Sequence, residues 1–142
     1  MSFLVWRALR QKLPTNDKMI TFGIEPAKCF CCIKQGWDDM NHIFTNGHFA
    51  AHFWNFRAGL WGIIYQQTHL KHLLLNWESD NHRNEIHRNI TQSLPIVVCW
   101  NLWNNRCSAK YGWKKSSISR VKYLILAKRY SHIFNYIYAK SF

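Results

Sequence analysis

Thiols and imidazoles crowd one short stretch of the chain. Cys29, Cys31 and Cys32 are followed by His42, His48 and His52, so three of five cysteines and three of eight histidines lie between residues 29 and 54. Thiolate and imidazole are the ligands Zn²⁺ prefers, and a Cys-x2-Cys pair lets two sulfurs reach one tetrahedral ion from a tight turn. The chemistry implied is that of a small zinc-binding domain. Other chemistries find less support. The chain has seven acidic residues, and the one adjacent pair of aspartates, Asp38 and Asp39, has no flanking strands to set it up as a two-metal site. The six glycines are scattered and form no phosphate loop. The chain reads as no enzyme: catalytic residues, none.

Charge points to a partner. Nineteen Lys and Arg stand against seven Asp and Glu, a formal +12. Residues 107–142 hold eight of the basic groups and none of the acidic ones. Such a patch favours a polyanion: RNA or DNA held electrostatically and without sequence preference. Lys114, Lys115, Arg120, Lys122, Lys128 and Arg129 are the expected nucleic-acid-binding residues, with Lys115, Lys122 and Arg129 seven residues apart along one ridge. An anionic membrane face or a protein partner is the alternative for the same basic helix.

Adjacent cysteines rarely bridge, and five is an odd number, so a secreted disulfide scaffold is not expected. A charge arrives at Arg7, too early for a signal-peptide core, and the best apolar run, Leu94 to Trp100, is far short of a membrane span. The expected home is intracellular, nuclear or cytoplasmic, with no transmembrane segment and no small-molecule substrate.

The elements that position these groups read as helices. Phe3, Trp6, Leu9 and Leu13 fall near helical spacing, and Pro14 stops that helix. Thr15 suits an N-cap and Gly23 a C-terminal stop. Asp38 or Asp39 can cap the next segment and bring His42 into its first turn; Thr45-Asn46-Gly47 interrupts it. Phe49, Phe53, Phe56 and Leu60 then make a core stripe. Residues 76–92 are polar and read as a connector, with Ile86 and Ile90 marking a short amphipathic helix in its later part. Ser93-Leu94-Pro95 reads as a helix start, followed by a face that buries Cys99 and Cys107; Ser116 or Ser117 caps a last helix. The expected class is mostly α: a small helical zinc-knuckle domain at 1–57, a poorly defined connector at 58–92, and amphipathic helices in a basic region at 93–142.

Several ordered motifs resemble one family. Trp-Arg-Ala-Leu-(x)3-Leu-Pro-Thr-Asn-Asp at 6–17, Phe22-Gly23-Ile24, Cys29-x2-Cys32, Asn41-His42-Ile43-Phe44 and Phe49-Ala50-Ala51-His52-Phe53-Trp54 are similar to the zinc-binding domain that follows the reverse transcriptase of plant non-LTR retroelements. A weaker echo, Trp100-Asn101-Leu102-Trp103-Asn104-Asn105-Arg106, resembles the tryptophan-rich linker after that domain. The resemblance implies structural zinc on Cys-x2-Cys and His-x4-Cys, onto which Cys29, Cys32 and His42 map directly. It also implies help in holding template RNA or target DNA. The fourth position is Gly47, which offers no ligand. His48, one residue on, is the first expected substitute, then Cys31, then His52. The family's pattern starts upstream of its Trp-Arg run, so the chain reads as a truncated retroelement piece. The opposing expectation is an inactive relic that keeps neither metal nor nucleic acid.

Overall fold

A computed structural model describes residues 2–25, 28–32, 36–61, 69–78, 85–112, 117–120, 123 and 126–127. These residues are mostly helical. The elements are α1 (Phe3–Leu9), α2 (Asn16–Met19), a 3₁₀ turn (Ile20–Phe22), a π turn (His42–Asn46), α3 (His48–Trp61), α4 (Leu70–Glu78) and α5 (Glu85–Tyr111). One antiparallel bridge, Lys28 with Trp37, is the β pairing among the described residues.

α1 ends at Leu9, before the apolar spacing through Leu13 runs out. Gln11 takes a left-handed conformation, φ 53°, and the Arg7 guanidinium closes over the turn, its Nη2 donating to the Lys12 carbonyl at 2.7 Å. The helix also buries a different face from the one its aromatics mark. Leu4, Val5 and Ala8 are in the core, while Phe3 and Trp6 are 72% and 42% exposed. Leu4, Val5 and Ala8 share a face at i, i+1 and i+4, and small side chains let α1 lie close to α5. After Pro14, Thr15 and Gly23 bracket α2 and the 3₁₀ turn as expected, with Gly23 left-handed at φ 76°.

α5 is longer than expected. It runs 27 residues, straight through Pro95, instead of starting there. The proline removes one backbone hydrogen bond. The helix nonetheless runs on through it, with Leu94 and Pro95 both buried. The polar stretch from 76 is therefore partly helix: it closes α4 and opens α5, and residues 79–84 lie outside the described part.

α5 packs against α1, the π turn, α3 and α4. Its Leu94, Val98, Cys99 and Leu102 join Leu4, Val5, Ile43, Phe44, Phe53, Trp54, Leu73 and Trp77 in one core. This one core draws on residues from both sides of residue 57. Phe44 and Phe53 are fully buried, worth about 1.5–3 kcal/mol each. Trp54 donates from Nε1 to the Phe44 carbonyl at 2.6 Å, so its one polar atom is satisfied inside the core. Phe44 stacks on Trp103 of α5 at 6.1 Å, and Trp54 tilts against Trp77 of α4 at 5.4 Å.

A buried ion pair ties α5 to the loop before the π turn. Arg106 and Asp38, each about 1% exposed, meet in a two-point contact: Nε donates to Oδ1 at 3.2 Å and Nη2 to Oδ2. Nη2 also donates to the Pro14 carbonyl at 3.3 Å, and Asp38 accepts the Asn16 amide at 3.0 Å. Burial opposes the arginine's charge, but the hydrogen bond and charge of Asp38 outweigh it and raise its pKa. Three chain segments converge on this carboxylate and guanidinium.

Candidate metal centre

The cysteines sit in a short knuckle. The Lys28–Trp37 bridge and the Cys29 amide, which donates to the Gly36 carbonyl at 2.8 Å, turn the chain back on itself. Asp39 then caps the next segment, its Oδ1 accepting the His42 amide at 2.8 Å. This fixes the backbone from which the imidazole projects. The ring lies directly over Gly36: a Cβ there would fall 2.3 Å from His42 Cε1 and 2.6 Å from Nδ1. Only glycine leaves that space open.

One ligand atom each from Cys29, Cys32 and His42 lies within 4.8 Å of the others. They border a cavity of about 10 Å³ with Cys31, Ile43, Phe49, Leu102, Asn105 and Arg106, room for a single water-sized occupant. The His42 Nε2 atom is buried with no hydrogen-bond partner among the described residues. Such an orphan donor or acceptor is costly inside a protein, and a metal ion would satisfy it. Two sulfurs and one nitrogen form a donor set that suits Zn²⁺.

The protons of this group are shared. Hydrogen bonds from the Cys31 and then the Cys32 side chain, against the effect of burial and helped by His42, hold Cys29 far below the usual thiol range. Cys32 moves the other way, because it bonds to Cys29 and is partly buried, although the Phe49 and His48 amides at the start of α3 favour its thiolate. His42 is raised by its hydrogen bond to Cys29 against burial, with the charges of Cys29, Asp39 and Asp38 adding to it. A divalent ion entering the cavity takes the place of these shared protons, since metal binding requires deprotonated ligands.

The fourth expected ligand is not in this group. His48 is exposed at the first position of α3, and its backbone amide, not its ring, faces Cys32. His52 lies further along α3, half-buried, its ring edge-on to Phe53 at 5.8 Å. Cys31 lines the cavity; its amide donates to Cys29 Sγ at 3.4 Å, and its own Sγ accepts from Asn105 Nδ2 at 3.3 Å. Gly47 has a structural use. Its amide closes the π turn on the His42 carbonyl at 3.0 Å, and a Cβ would come to 2.2 Å from that carbonyl oxygen. A cysteine cannot be restored at 47 without opening the turn that carries His42.

Of the basic residues expected to meet nucleic acid, Arg120 is exposed, and its amide donates to Ser117 Oγ at 3.3 Å, so Ser117 caps that turn. Lys114, Lys115, Lys122, Lys128 and Arg129 lie outside the described residues. Cys99 is fully buried, and burial pushes its thiol up to about 12. Cys107 is half-buried. Gly36, Asn105 and Arg106 are the site residues that spacing did not single out. The signal for the last two was in the chain, in the Trp100–Arg106 echo, but nothing in it shows that the segment returns to the knuckle.

Gly36→Ala is expected to weaken zinc binding about 10–100-fold, the range seen when a group that orients a ligand is altered. Competition titration against a chromophoric chelator measures this; an unchanged affinity means that the imidazole takes no part.

No curated protein and no solved structure matches the chain. The family comparison does find a match, over residues 1–54, to the model described as zinc-binding in reverse transcriptase. That span covers the knuckle, the π turn and the first half of α3, and therefore every member of the Cys29, Cys32 and His42 group. The part of the chain that builds the metal centre is thus the part that matches the model described as zinc-binding in reverse transcriptase, residues 1–54.

Proposed function

We propose that this chain is a non-catalytic, structural zinc module of retroelement origin that holds RNA or DNA through its basic C-terminal region. The observation that carries the reading is the Cys29, Cys32 and His42 group around an ion-sized cavity, inside the segment that matches the family. Zinc there would act as a staple, which so short a segment ordinarily needs. The fourth place on a tetrahedral ion falls to Cys31, which borders the same cavity. His48 would have to swing in from solvent.

The acidic residues support a structural role. Asp38 is committed to Arg106 and Asp39 to the His42 amide, so the adjacent aspartates hold the fold and not a reacting group. Reduced, unbridged cysteines agree with an intracellular home, nuclear or cytoplasmic. No helix among the described residues is long and apolar enough to cross a membrane.

Binding through phosphates must weaken with salt. With six tail cations engaged on a single strand, affinity is expected to fall about 10²–10³-fold between roughly 50 and 200 mM salt. Fluorescence anisotropy with a labelled oligonucleotide measures the slope. Affinity that ignores salt, or no binding at low salt, contradicts the nucleic-acid part of the reading.

A further inference from the structure

A groove of about 480 Å³ runs between α1 and α5, on the far side of Arg106 from the knuckle's sulfurs. Aromatic and basic side chains line it, and no carboxylate does: Phe3, Arg7, Trp100, Trp103, Arg106 and Tyr111 carry its chemistry. Phe3, Trp100 and Tyr111 are 72%, 43% and 62% exposed. This is a large open aromatic surface for a chain that buries Trp54 and Phe53 completely.

Cations already sit against these rings. Arg7 lies 5.9 Å from the Phe3 ring centre, Arg106 5.0 Å from Trp103, and Lys110 5.1 Å from Tyr111. Arg10 stands over Trp6 one turn along α1, at 6.0 Å. Arg106 is 1% exposed, and its Nη1 has no hydrogen-bond partner among the described residues. Asp38 already answers the Arg106 charge, so the cation that the groove offers a ligand is Arg7.

We infer that this groove seats a short single-stranded stretch of nucleic acid, its bases stacked on Phe3, Trp100 and Tyr111 and its phosphates met by Arg7. Stacking platforms bordered by cations are how single strands are held without sequence readout, since every base has a π face. An apolar peptide would leave the cations beside these rings unanswered. A duplex would present its phosphates and hide its bases from the rings. The position in the chain fits as well: Tyr111 ends α5, and Lys114 and Lys115 follow within four residues.

This inference rests on the nucleic-acid reading above, and the test separates the two. The full zinc-loaded chain is titrated with a fluorescein-labelled oligouridylate of about 12 nucleotides, within the site sizes of single-strand grooves. Three forms are compared: wild type, Phe3→Ala with Tyr111→Ala, and a tail form with Lys114, Lys115, Lys122 and Arg129 changed to serine. Both groove positions are largely exposed, and unchanged melting checks that this form folds. The groove form is expected to bind at least about tenfold more weakly, the fold-change that stacking a base on one aromatic carries. A groove form that binds as wild type while the tail form loses affinity overturns the groove and leaves the nucleic-acid reading intact. Wild type that does not bind at low salt overturns both. A second measurement uses wild type alone: a 4-thiouridine oligonucleotide crosslinked by light should mark peptides holding Phe3, Trp100 or Tyr111. Crosslinks confined to residues beyond 112 overturn the groove.

Discussion

Replacing Arg106 with methionine is expected to cost about 3–5 kcal/mol of stability. The reason is what remains: Asp38, 1% exposed, would keep its charge with only the Asn16 amide to answer it. The Pro14 carbonyl would lose its donor as well. Removing both charges should hurt less than removing one, because a buried pair has already given up most of its hydration to form. Asp38→Asn with Arg106→Met keeps an acceptor for Asn16 and is expected to recover part of the loss. Chemical denaturation of the two single variants and the double variant closes this cycle. A loss below about 1 kcal/mol for Arg106→Met, the value of an exposed pair, means that water reaches Asp38 and that the three segments do not meet there.

Removing zinc is the second large effect. A ligand that binds only the folded state stabilises it by about 4 kcal/mol when its free concentration is 1,000 times its Kd. At this chain length that corresponds to roughly 8–16 °C in Tm. Chelation should therefore lower the melting temperature by about that amount, and zinc should restore it. The difference between chelated and zinc-loaded chain should shrink as pH falls, because protons compete for the two thiolates and the imidazole and so weaken zinc binding. The same treatment should open Cys29 to alkylation at neutral pH, while Cys99, buried with its thiol raised to about 12, stays unmodified until the chain unfolds. Melting that ignores both chelator and zinc removes the ion from the fold.

Sequence reasoning reached the metal site by local rules. Cys29 and Cys32 are three apart in a turn, and Asp39 caps the segment that aims His42; the structure brings these together as spacing suggests. Local rules failed where the partner is far along the chain. Asp38 looked like an alternative cap, and its true partner is 68 residues away on α5. Gly36 drew no notice from spacing, yet an imidazole lies on it. Gly47 looked like a lost ligand, and it also lets a π turn close. On α1 the aromatic spacing was real, but it marked an open face, because Leu4, Val5 and Ala8 pack more closely against a neighbouring helix than Phe3 and Trp6 could. Pro95 marked a helix start in isolation and is an interior position of α5. For Asp38 and for α1 the missing information was a contact distant in sequence.

The metal itself is the most direct question. Native mass spectrometry of the purified full chain, with zinc quantified in parallel by plasma emission, should find one Zn²⁺ per wild-type molecule and none in Cys29→Ser with Cys32→Ser. Wild type that carries no zinc after exposure to it, or a double variant that still holds a full equivalent, contradicts a centre built on Cys29, Cys32 and His42.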